Sequence, residues 1–375
     1  MKVPLNVPDL QSGLEEQCIL EALRSGWVTT GKYVHLLEEG FCRLTGRQYA
    51  VACSSGTAAL WIAAQALGLG GGRGLLVSPA YTCDSIANVA LSVTGRPPVV
   101  LPIEEETWGL SVAGLEEWLM RRQGTSRMAV VPVHIYGVPA RDTEAIMALC
   151  QRKGIPMIED CSEAHGASIS GRPVGSFGDI SVFSMRGEKI LSGGQLGIVT
   201  TDDGAIAKRA RQYAENGLPS SRIRYWSTVA GLNFQPAHLN AALAWAQLQR
   251  LPNLVKARRE RHQGWRERLS LMPGIGLQGV HGDPAWWLTA VVLDPTFSTI
   301  RVSDLALGLA EAGVDTRPGF YPLYQLPHAA QGMVEPCPVS EHLLDRALIL
   351  PSGAGVGPTE QDYIVAEMLR LVGRA

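Results

Sequence analysis

Short apolar segments alternate with longer amphipathic segments through the first two-thirds of the chain, and this alternation restricts the fold more than any other feature. Most of the short segments are apolar along their whole length, as strands are when both faces of their sheet are buried. The predicted strands are Tyr49–Cys53, Leu75–Ser78, Pro98–Leu101, Met128–Val133, Pro156–Glu159, Ile180–Phe183 and Gly197–Thr200. The predicted helices between them are Thr57–Ala66, Ser85–Thr94, Val112–Arg122 and Asp142–Lys153. The alternation favours an α/β fold with a mostly parallel sheet flanked by helices.

The pattern changes after about Asp202, where helical segments dominate and only one further strand is evident. We predict helices over Ala205–Asn216, Pro236–Arg268, Val302–Ala312 and Tyr363–Val372, and a strand over Trp286–Leu293. We therefore expect a large domain over residues 1–250 and a smaller C-terminal α+β domain over residues 251–375. The connection between Ile180–Phe183 and Gly197–Thr200 is too short for a crossover helix, which allows an antiparallel pair there.

Charge and composition exclude several classes of partner. The 375 residues carry a net charge of −2, and the basic stretch Lys256–Arg268 is typical of a solvated helix face, so no nucleic-acid partner is expected. The chain shows neither a signal peptide nor an apolar stretch of about 18 residues, so we expect a cytoplasmic protein without a membrane partner. Seven scattered cysteines and the lack of metal-ligand spacing predict reduced thiols and no metal site.

A small-residue segment, Ser54–Thr57, leaves one predicted strand and opens the next predicted helix. Backbone N–H groups at a helix N-terminus bind anions such as phosphate, because the helix dipole adds to their hydrogen bonds. Serine and threonine also cap helices for structural reasons alone, and the segment by itself does not decide between these readings.

Asp160 follows a buried strand, and the carboxyl ends of such strands are where α/β sheets bind ligands. A buried acid needs a cation or several hydrogen-bond donors. A protonated pyridine nitrogen is one such cation, and a carboxylate that keeps it protonated makes the ring an electron sink. The alternative is that Asp160 caps the following helix.

Lys189 lies in a glycine-containing turn between a predicted strand and the apolar pair Ile190-Leu191. Most lysines are solvated surface residues, whereas a partly buried lysine suits a nucleophilic amine.

We interpret the single histidines His134 and His165 as hydrogen-bonded structural residues, and the pair Trp286-Trp287 as packing residues.

These segments together resemble the sugar aminotransferases of the DegT/DnrJ/StrS family, which are fold-type I pyridoxal-phosphate (PLP) enzymes. Each match is weak alone, but the matches occur in order along nearly the whole chain. They are Ser25–Gly31, Ser55–Leu60, Pro79–Cys83, His134–Gly137, Glu159-Asp160 with Glu163–Gly166, Phe183-Ser184 with Lys189, Gly231–Phe234, Gln247-Leu248 and Gly313–Arg317. The resemblance implies a fold-type I PLP-dependent transferase in which the large domain binds the cofactor.

The resemblance also implies roles for individual residues. Lys189 would hold pyridoxal 5'-phosphate as a Schiff base and carry the proton between the substrate carbon and the cofactor. Asp160 would pair with the pyridine nitrogen, and Glu163, where the family often has glutamine, would lie near the phenolic oxygen. Other implied cofactor contacts are Gly56, Thr57 and Ser184 at the phosphate, Tyr81 and Cys83 at the ring face, and Asn233 from the neighbouring subunit of a homodimer.

The departures from the family pattern concern the substrate more than the cofactor. Gln235 and Tyr324 replace an arginine and a histidine of many relatives, and Gln195-Leu196 replaces a Glu-Gly pair. Tyr321 matches a position near the family's active site and is our candidate substrate residue.

The function that the resemblance implies is amino transfer from glutamate or glutamine to a keto sugar, with a nucleotide-linked sugar as the first expectation. A keto-cyclitol or another biosynthetic carbonyl compound is the first alternative for the acceptor. A PLP-binding regulator without turnover is the second alternative, and the complete lysine and acid set argues against it.

Overall fold

The computed structural model describes residues 1–72, 74–122, 127–218, 225–270, 272–296 and 300–373. The strands in these ranges are β1 Tyr49–Cys53, β2 Gly74–Pro79, β3 Val99–Leu101, β4 Arg127–Val130, β5 Ile158–Asp160, β6 Ser168–Ile169, β7 Arg172–Pro173, β8 Ile180–Ser184, β9 Gly197–Thr201, β10 Ile275–Leu277, β11 Thr289–Leu293, β12 Arg317–Pro318 and β13 Ala347–Leu350. The α-helices are α1 Leu14–Arg24, α2 Lys32–Thr45, α3 Gly56–Ala66, α4 Ser85–Thr94, α5 Val112–Arg121, α6 Thr143–Lys153, α7 Gly204–Ala214, α8 His238–Gln249, α9 Leu251–Leu269, α10 Val302–Glu311, α11 Pro338–Leu344 and α12 Pro358–Val372.

Seven strands of the first 201 residues form one mixed sheet, in the order β3-β2-β4-β5-β8-β9-β1. The parallel pairs are β2 with β3, β2 with β4, and β5 with β8. Parallel bridges from Val130 to Met157 and from Val133 to Asp160 join β4 to β5. This arrangement confirms the predicted α/β fold, and it brings the carboxyl ends of β5 and β8 to the same edge of the sheet.

β9 runs antiparallel to β8, as the short connection between them allowed. A parallel neighbour would need a crossover of about a dozen residues or more, usually with a helix, and the described chain between Met185 and Leu196 forms only turns. Met185 and Leu196 pair through their backbones (N to O, 2.8 Å), which closes a loop that carries Lys189. The antiparallel excursion therefore creates the loop on which the candidate lysine lies.

The predicted helix Pro236–Arg268 is wrong as a single element, because it is divided into α8 and α9 at Arg250. Pro252 has no N–H to continue the hydrogen-bond pattern of α8, and it is tolerated here at the start of α9. The predicted strands β4 and β11 are also shorter than expected, since β4 ends at Val130 and β11 begins at Thr289.

The C-terminal part contains the antiparallel sheet β10-β11-β13-β12, with α9, α10 and α12 packed against it. Its apolar cluster includes Trp265, Leu305 and Ile364, and Val3 from the N-terminus joins them. The division at residue 250 stays a prediction. None of the helices in the described ranges is long and apolar enough to cross a membrane.

Candidate active site

A cavity of about 440 Å³ opens at the sheet edge where β5 and β8 end. Two larger grooves, of about 870 and 1010 Å³, lie along α9 and beside Trp27. Chemistry rather than volume distinguishes the smaller cavity, because seven of the residues predicted from the sequence line it. They are Gly56, Thr57, Cys83, Asp160, Glu163, Ser184 and Lys189.

Three predicted residues do not line this cavity. Tyr81 is fully buried, and its hydroxyl lies 3.0 Å from the hydroxyl of Tyr136. Its ring packs edge-on against Phe320, which does line the cavity, so Tyr81 lies one layer behind the wall. Asn233 and Tyr321 are exposed outside the cavity of their own chain. The roles assigned to these three residues remain predictions.

The wall formed by α3 has the composition of an anion site. Ser55 caps the helix, and its hydroxyl accepts the N–H of Ala58 at 3.1 Å. The first N–H groups of a helix have no partner within it, so the amides of Gly56 and Thr57 can serve an anion. A Cβ on Gly56 would lie 2.5 Å from the Cβ of Ser184, so only glycine lets α3 approach the end of β8 this closely.

Asp160 contributes a buried carboxylate at the end of β5. Its Oδ1 accepts the N–H of Ser162 at 2.9 Å. Burial raises the pKa of Asp160, and the hydrogen bond from Ser162 and the charge of Lys189 only partly oppose this. The carboxylate is therefore incompletely stabilised by the protein, as expected for a group that awaits a cationic partner.

Lys189 is only 8% exposed, although lysines are seldom buried, and its Nζ lies 3.3 Å from Oε1 of Glu163. Burial raises the pKa of Glu163, and the nearby ammonium of Lys189 and the N–H of Tyr136 lower it, with a net increase. Tyr136 has φ 54°, a left-handed conformation that costs energy for a tyrosine, and its N–H donates to Glu163 at 2.7 Å. The Lys189–Glu163 pair is thus held by a strained backbone turn.

His134 is a structural residue, as predicted. Its Nδ1 accepts the N–H of Ala140 at 2.9 Å, so its Nε2 carries the proton that Glu159 accepts at 3.1 Å. His134, Glu159 and Cys161 place potential metal-ligand atoms within 4.8 Å of one another. The histidine and the carboxylate already use their lone pairs on protein donors, so this group fits hydrogen bonding better than metal binding.

The expectation for His165 is wrong in one respect, because neither ring nitrogen has a hydrogen-bond partner among the described residues. The ring lies between Phe41 and Phe183, and burial lowers its pKa to about 3. His165 is therefore a neutral apolar packing residue rather than a hydrogen-bonded one.

Both tryptophans are buried packing residues, as predicted, but Trp287 has a second contact that was not predicted. Trp286 packs face to face on His262, with ring centroids 3.4 Å apart. Trp287 also lines the cavity, and its ring centroid lies 3.4 Å from Nζ of Lys189. Nothing in the local sequence separates the two, because the contact depends on chain nearly a hundred residues away.

Other lining residues that were not predicted from the sequence are Ser85, Arg186, Arg317 and Phe320, whereas Gln195, one of the departures expected near the substrate, does line the cavity. Arg317 closes the family motif Gly313–Arg317, which is the signal that could have found it. Arg186 lies 3.3 Å from the carboxylate of Glu188, whereas Arg317 has no ion pair within the described ranges. Within these ranges, Arg317 therefore offers the cavity a positive charge that no carboxylate pairs with.

The residues present fit pyridoxal phosphate. The α3 amides with Thr57 and Ser184 suit its phosphate, and the incompletely stabilised Asp160 suits its pyridine nitrogen. Lys189 supplies a buried primary amine in the same cavity, as covalent attachment requires.

Comparison with known proteins points to the same chemistry. A family model described as the DegT/DnrJ/EryC1/StrS aminotransferase family matches residues 11–369. The chain is 31% identical to a GDP-perosamine synthase of Escherichia coli O157:H7 over 96% of each chain. It is 33% identical to a GDP-perosamine synthase of Vibrio cholerae over 94% of this chain and 95% of the relative.

Solved structures agree with the fold along its whole length. The structure of DesI in the presence of its TDP-sugar product superposes with a TM-score of 0.89 and 27% identity, over 100% of this chain and 95% of DesI. The aminotransferase TlmJ from Streptoalloteichus hindustanus gives a TM-score of 0.88 and 25% identity over 99% of both chains.

Proposed function

This chain belongs to the DegT/DnrJ/EryC1/StrS aminotransferase family, and we propose that it moves an amino group from glutamate or glutamine to a nucleotide-linked keto sugar, with its cofactor held on Lys189. Family membership confirms the resemblance, the fold-type I architecture and the PLP-dependent aminotransferase class that the sequence predicted. The observation that supports the details most is the shared cavity, where Lys189, Asp160 and Glu163 meet the N-terminus of α3.

Bound pyridoxal phosphate supplies an aldehyde that accepts and passes on an amino group, and a ring that withdraws electrons from the carbon beside it. The protein supplies attachment, orientation and proton transfer. The amine of Lys189 holds the cofactor until a donor amine replaces it, and is then free to move a proton between substrate and cofactor carbons.

Asp160 and Glu163 support this reaction through different groups. Asp160 keeps the pyridine nitrogen protonated, because a buried carboxylate with one backbone donor gains most from a cationic partner. Glu163 lies 3.3 Å from the amine of Lys189 and orients it within the cavity. The wall of apolar and aromatic residues around them, including Phe320 and Trp287, limits the access of water.

The charge of Arg317 suits anionic substrates. Arg317 is exposed, lines the cavity and can pair with a carboxylate of the donor or a phosphate of the sugar nucleotide. The matched relatives named GDP-perosamine synthases make a GDP-linked keto sugar the first acceptor to test.

A homodimer with shared active sites completes the proposal. Asn233 lies outside the cavity of its own chain, on an exposed segment beside Gln235. The groove next to this segment is lined by Trp27, which is 67% exposed, and exposed apolar side chains are costly unless a partner covers them. A second copy would cover this surface and bring its Asn233 to the phosphate.

Absorbance spectroscopy tests the proposal. Purified protein mixed with pyridoxal phosphate is expected to show a visible band that Lys189→Ala lacks, and glutamate or glutamine should convert that band to the aminated form. Addition of a GDP-linked keto sugar should then restore it. A visible band that neither donor changes would contradict amino transfer, and a donor reaction without an effect of the sugar would contradict the acceptor.

A further inference from the structure

The carbonyl oxygen of Glu188, directly before Lys189, receives two side-chain hydrogen bonds. Nε1 of Trp287 donates to it at 2.7 Å, and Nδ2 of Asn6 donates to the same oxygen. The two donors come from widely separated parts of the sequence, and both lie outside the loop that carries the lysine. The peptide that leads into Lys189 is thus fixed from outside its own loop.

Trp287 also contacts the other end of the lysine. The face of its ring lies 3.4 Å from Nζ of Lys189, within the range of a cation–π interaction. A lysine side chain has four rotatable bonds and loses much conformational freedom when it is fixed. One tryptophan therefore restrains both the backbone before Lys189 and the amine at its tip.

A buried arginine holds the two donors in place. Arg258 donates from one nitrogen to the backbone oxygens of Trp287 (3.1 Å) and Ser352, and from the other to Oδ1 of Asn6 (2.8 Å). These acceptors are neutral, and burial lowers the pKa of Arg258 to about 9. A buried cation without a carboxylate is costly, which indicates that its geometry rather than its charge is needed.

We propose that Trp287, supported by Asn6 and Arg258, positions Lys189 for attachment of the cofactor, with the indole N–H fixing the Glu188 carbonyl and the ring face fixing the amine. This inference rests on the proposed function of Lys189 as the attachment residue. Trp287 is a positioning residue, and its removal should slow loading and turnover more than it weakens substrate binding.

Three substitutions and one control separate the two contacts of Trp287. Trp287→Leu removes the N–H and the ring face, whereas Trp287→Phe removes the N–H and keeps an aromatic face. Trp286→Phe is the matched control, because the neighbouring ring packs on His262 and does not line the cavity. Asn6→Ala removes the second donor to Glu188 while it leaves the aromatic face intact.

The readout is the rate at which full-length, cofactor-stripped protein gains pyridoxal phosphate on Lys189, measured by borohydride quenching and mass spectrometry. We expect Trp287→Leu to slow loading at least tenfold, Trp287→Phe to restore part of this loss, Asn6→Ala to slow loading about threefold, and Trp286→Phe to match the wild type. In turnover, kcat should fall in the Trp287 variants while KM for the amino donor changes less than twofold.

Trp287→Leu loading at the wild-type rate, or Trp286→Phe loading as slowly as Trp287→Leu, would overturn the inference. If Trp287→Leu does not fold, wild-type loading in both Trp287→Phe and Asn6→Ala overturns it instead. If the wild type itself gains no cofactor on Lys189, the proposed function fails, which is a distinct result.

Discussion

Two neighbouring acids on β5, Glu159 and Asp160, lie in opposite environments. Their comparison distinguishes a charge that stabilises the fold from one that is available to the cavity. Glu159 points to the covered side, where it accepts from the backbone N–H groups of Gly175 (2.6 Å), Phe177 (2.8 Å) and Gly178 (3.0 Å). It also accepts from Ser181 Oγ at 2.9 Å and from His134 Nε2 at 3.1 Å.

Asp160, one residue later, faces the cavity, and within the described ranges its hydrogen-bond donors both belong to Ser162, the backbone N–H and the hydroxyl. Burial alone would raise the pKa of both acids. For Glu159 the donors outweigh burial and lower the pKa to about 2, whereas for Asp160 they do not and the pKa is raised. The protein thus completes the stabilisation of Glu159 and does not complete that of Asp160, which suits the proposed cationic partner.

The largest effect is expected from Asp160→Asn on the cavity side. The amide cannot keep a pyridine nitrogen protonated, so the specific activity should fall by roughly 10²–10³, the usual loss when one electrostatic contact to the reacting group is removed. Steady-state assays with saturating cofactor measure this. Activity within a few-fold of the wild type would show that the reaction does not need the carboxylate of Asp160.

Glu159→Gln makes the same acid-to-amide change on the covered side. The amide NH₂ would face groups that are themselves donors, and we expect the free energy of unfolding to fall by about 3 kcal/mol. Urea denaturation measures this quantity. Asp160→Asn is the matched control, and an equal loss of stability in both variants would show that the two acids are not different in kind.

The pH dependence of stability distinguishes the two acids further, because the pKa of Glu159 is lowered and that of Asp160 is raised. The folded pKa of Glu159, about 2, lies below the unfolded value of 4.5, so its stabilisation of about 3 kcal/mol is present above pH 4.5 and is lost as the pH falls towards 2. The folded pKa of Asp160 lies above 3.8, so its charge destabilises the cofactor-free protein at neutral pH.

Urea denaturation of cofactor-free protein at pH 7 and pH 3 measures these signs. The deficit of Glu159→Gln should shrink at the lower pH. Asp160→Asn should be slightly more stable than the wild type at pH 7 and equal to it at pH 3. A deficit of Glu159→Gln that is the same at both values would contradict the assignment of a charged, hydrogen-bonded Glu159.

The smallest effect is expected from Glu163→Gln, which keeps an oxygen near Lys189 and removes the charge. Since Oε1 lies 3.3 Å from Nζ and Oε2 accepts the N–H of Tyr136, the amide can keep one of the two contacts. We expect kcat to fall about tenfold or less, within the range of one lost charge-assisted hydrogen bond, and the free energy of unfolding to fall less than in Glu159→Gln, since fewer donors face the new NH₂. A loss of kcat as large as that of Asp160→Asn would show that the charge of Glu163 is as important to the reaction as that of Asp160.

The meeting of Asp160, Ser184 and Lys189 at one edge of the sheet could be predicted from strand ends, whereas the family resemblance implied their chemical roles. Asp160 and Ser184 end parallel neighbours β5 and β8, which share an edge, and Lys189 follows within a short loop. The placement of Gly56 follows in the same way from the turn after β1.

What escaped prediction depends on contacts between distant segments. Trp287 and Arg317 reach the cavity from the C-terminal part of the chain, and no local pattern distinguishes Trp287 from Trp286. A histidine in a polar segment was expected to form hydrogen bonds, but His165 lies between two phenylalanine rings. The break at Pro252 and the motif that ends at Arg317 were readable from the sequence and overlooked; proline favours the first turn of a helix.

The most direct test of cofactor attachment at Lys189 is to locate the bound cofactor on the chain. Wild-type protein loaded with pyridoxal phosphate, reduced with borohydride and digested should yield one modified peptide, with the added mass on Lys189. Asp160→Asn should give the same peptide in lower yield, and Glu159→Gln should match the wild type wherever it is folded. A modification on another lysine, or none, would contradict the central claim.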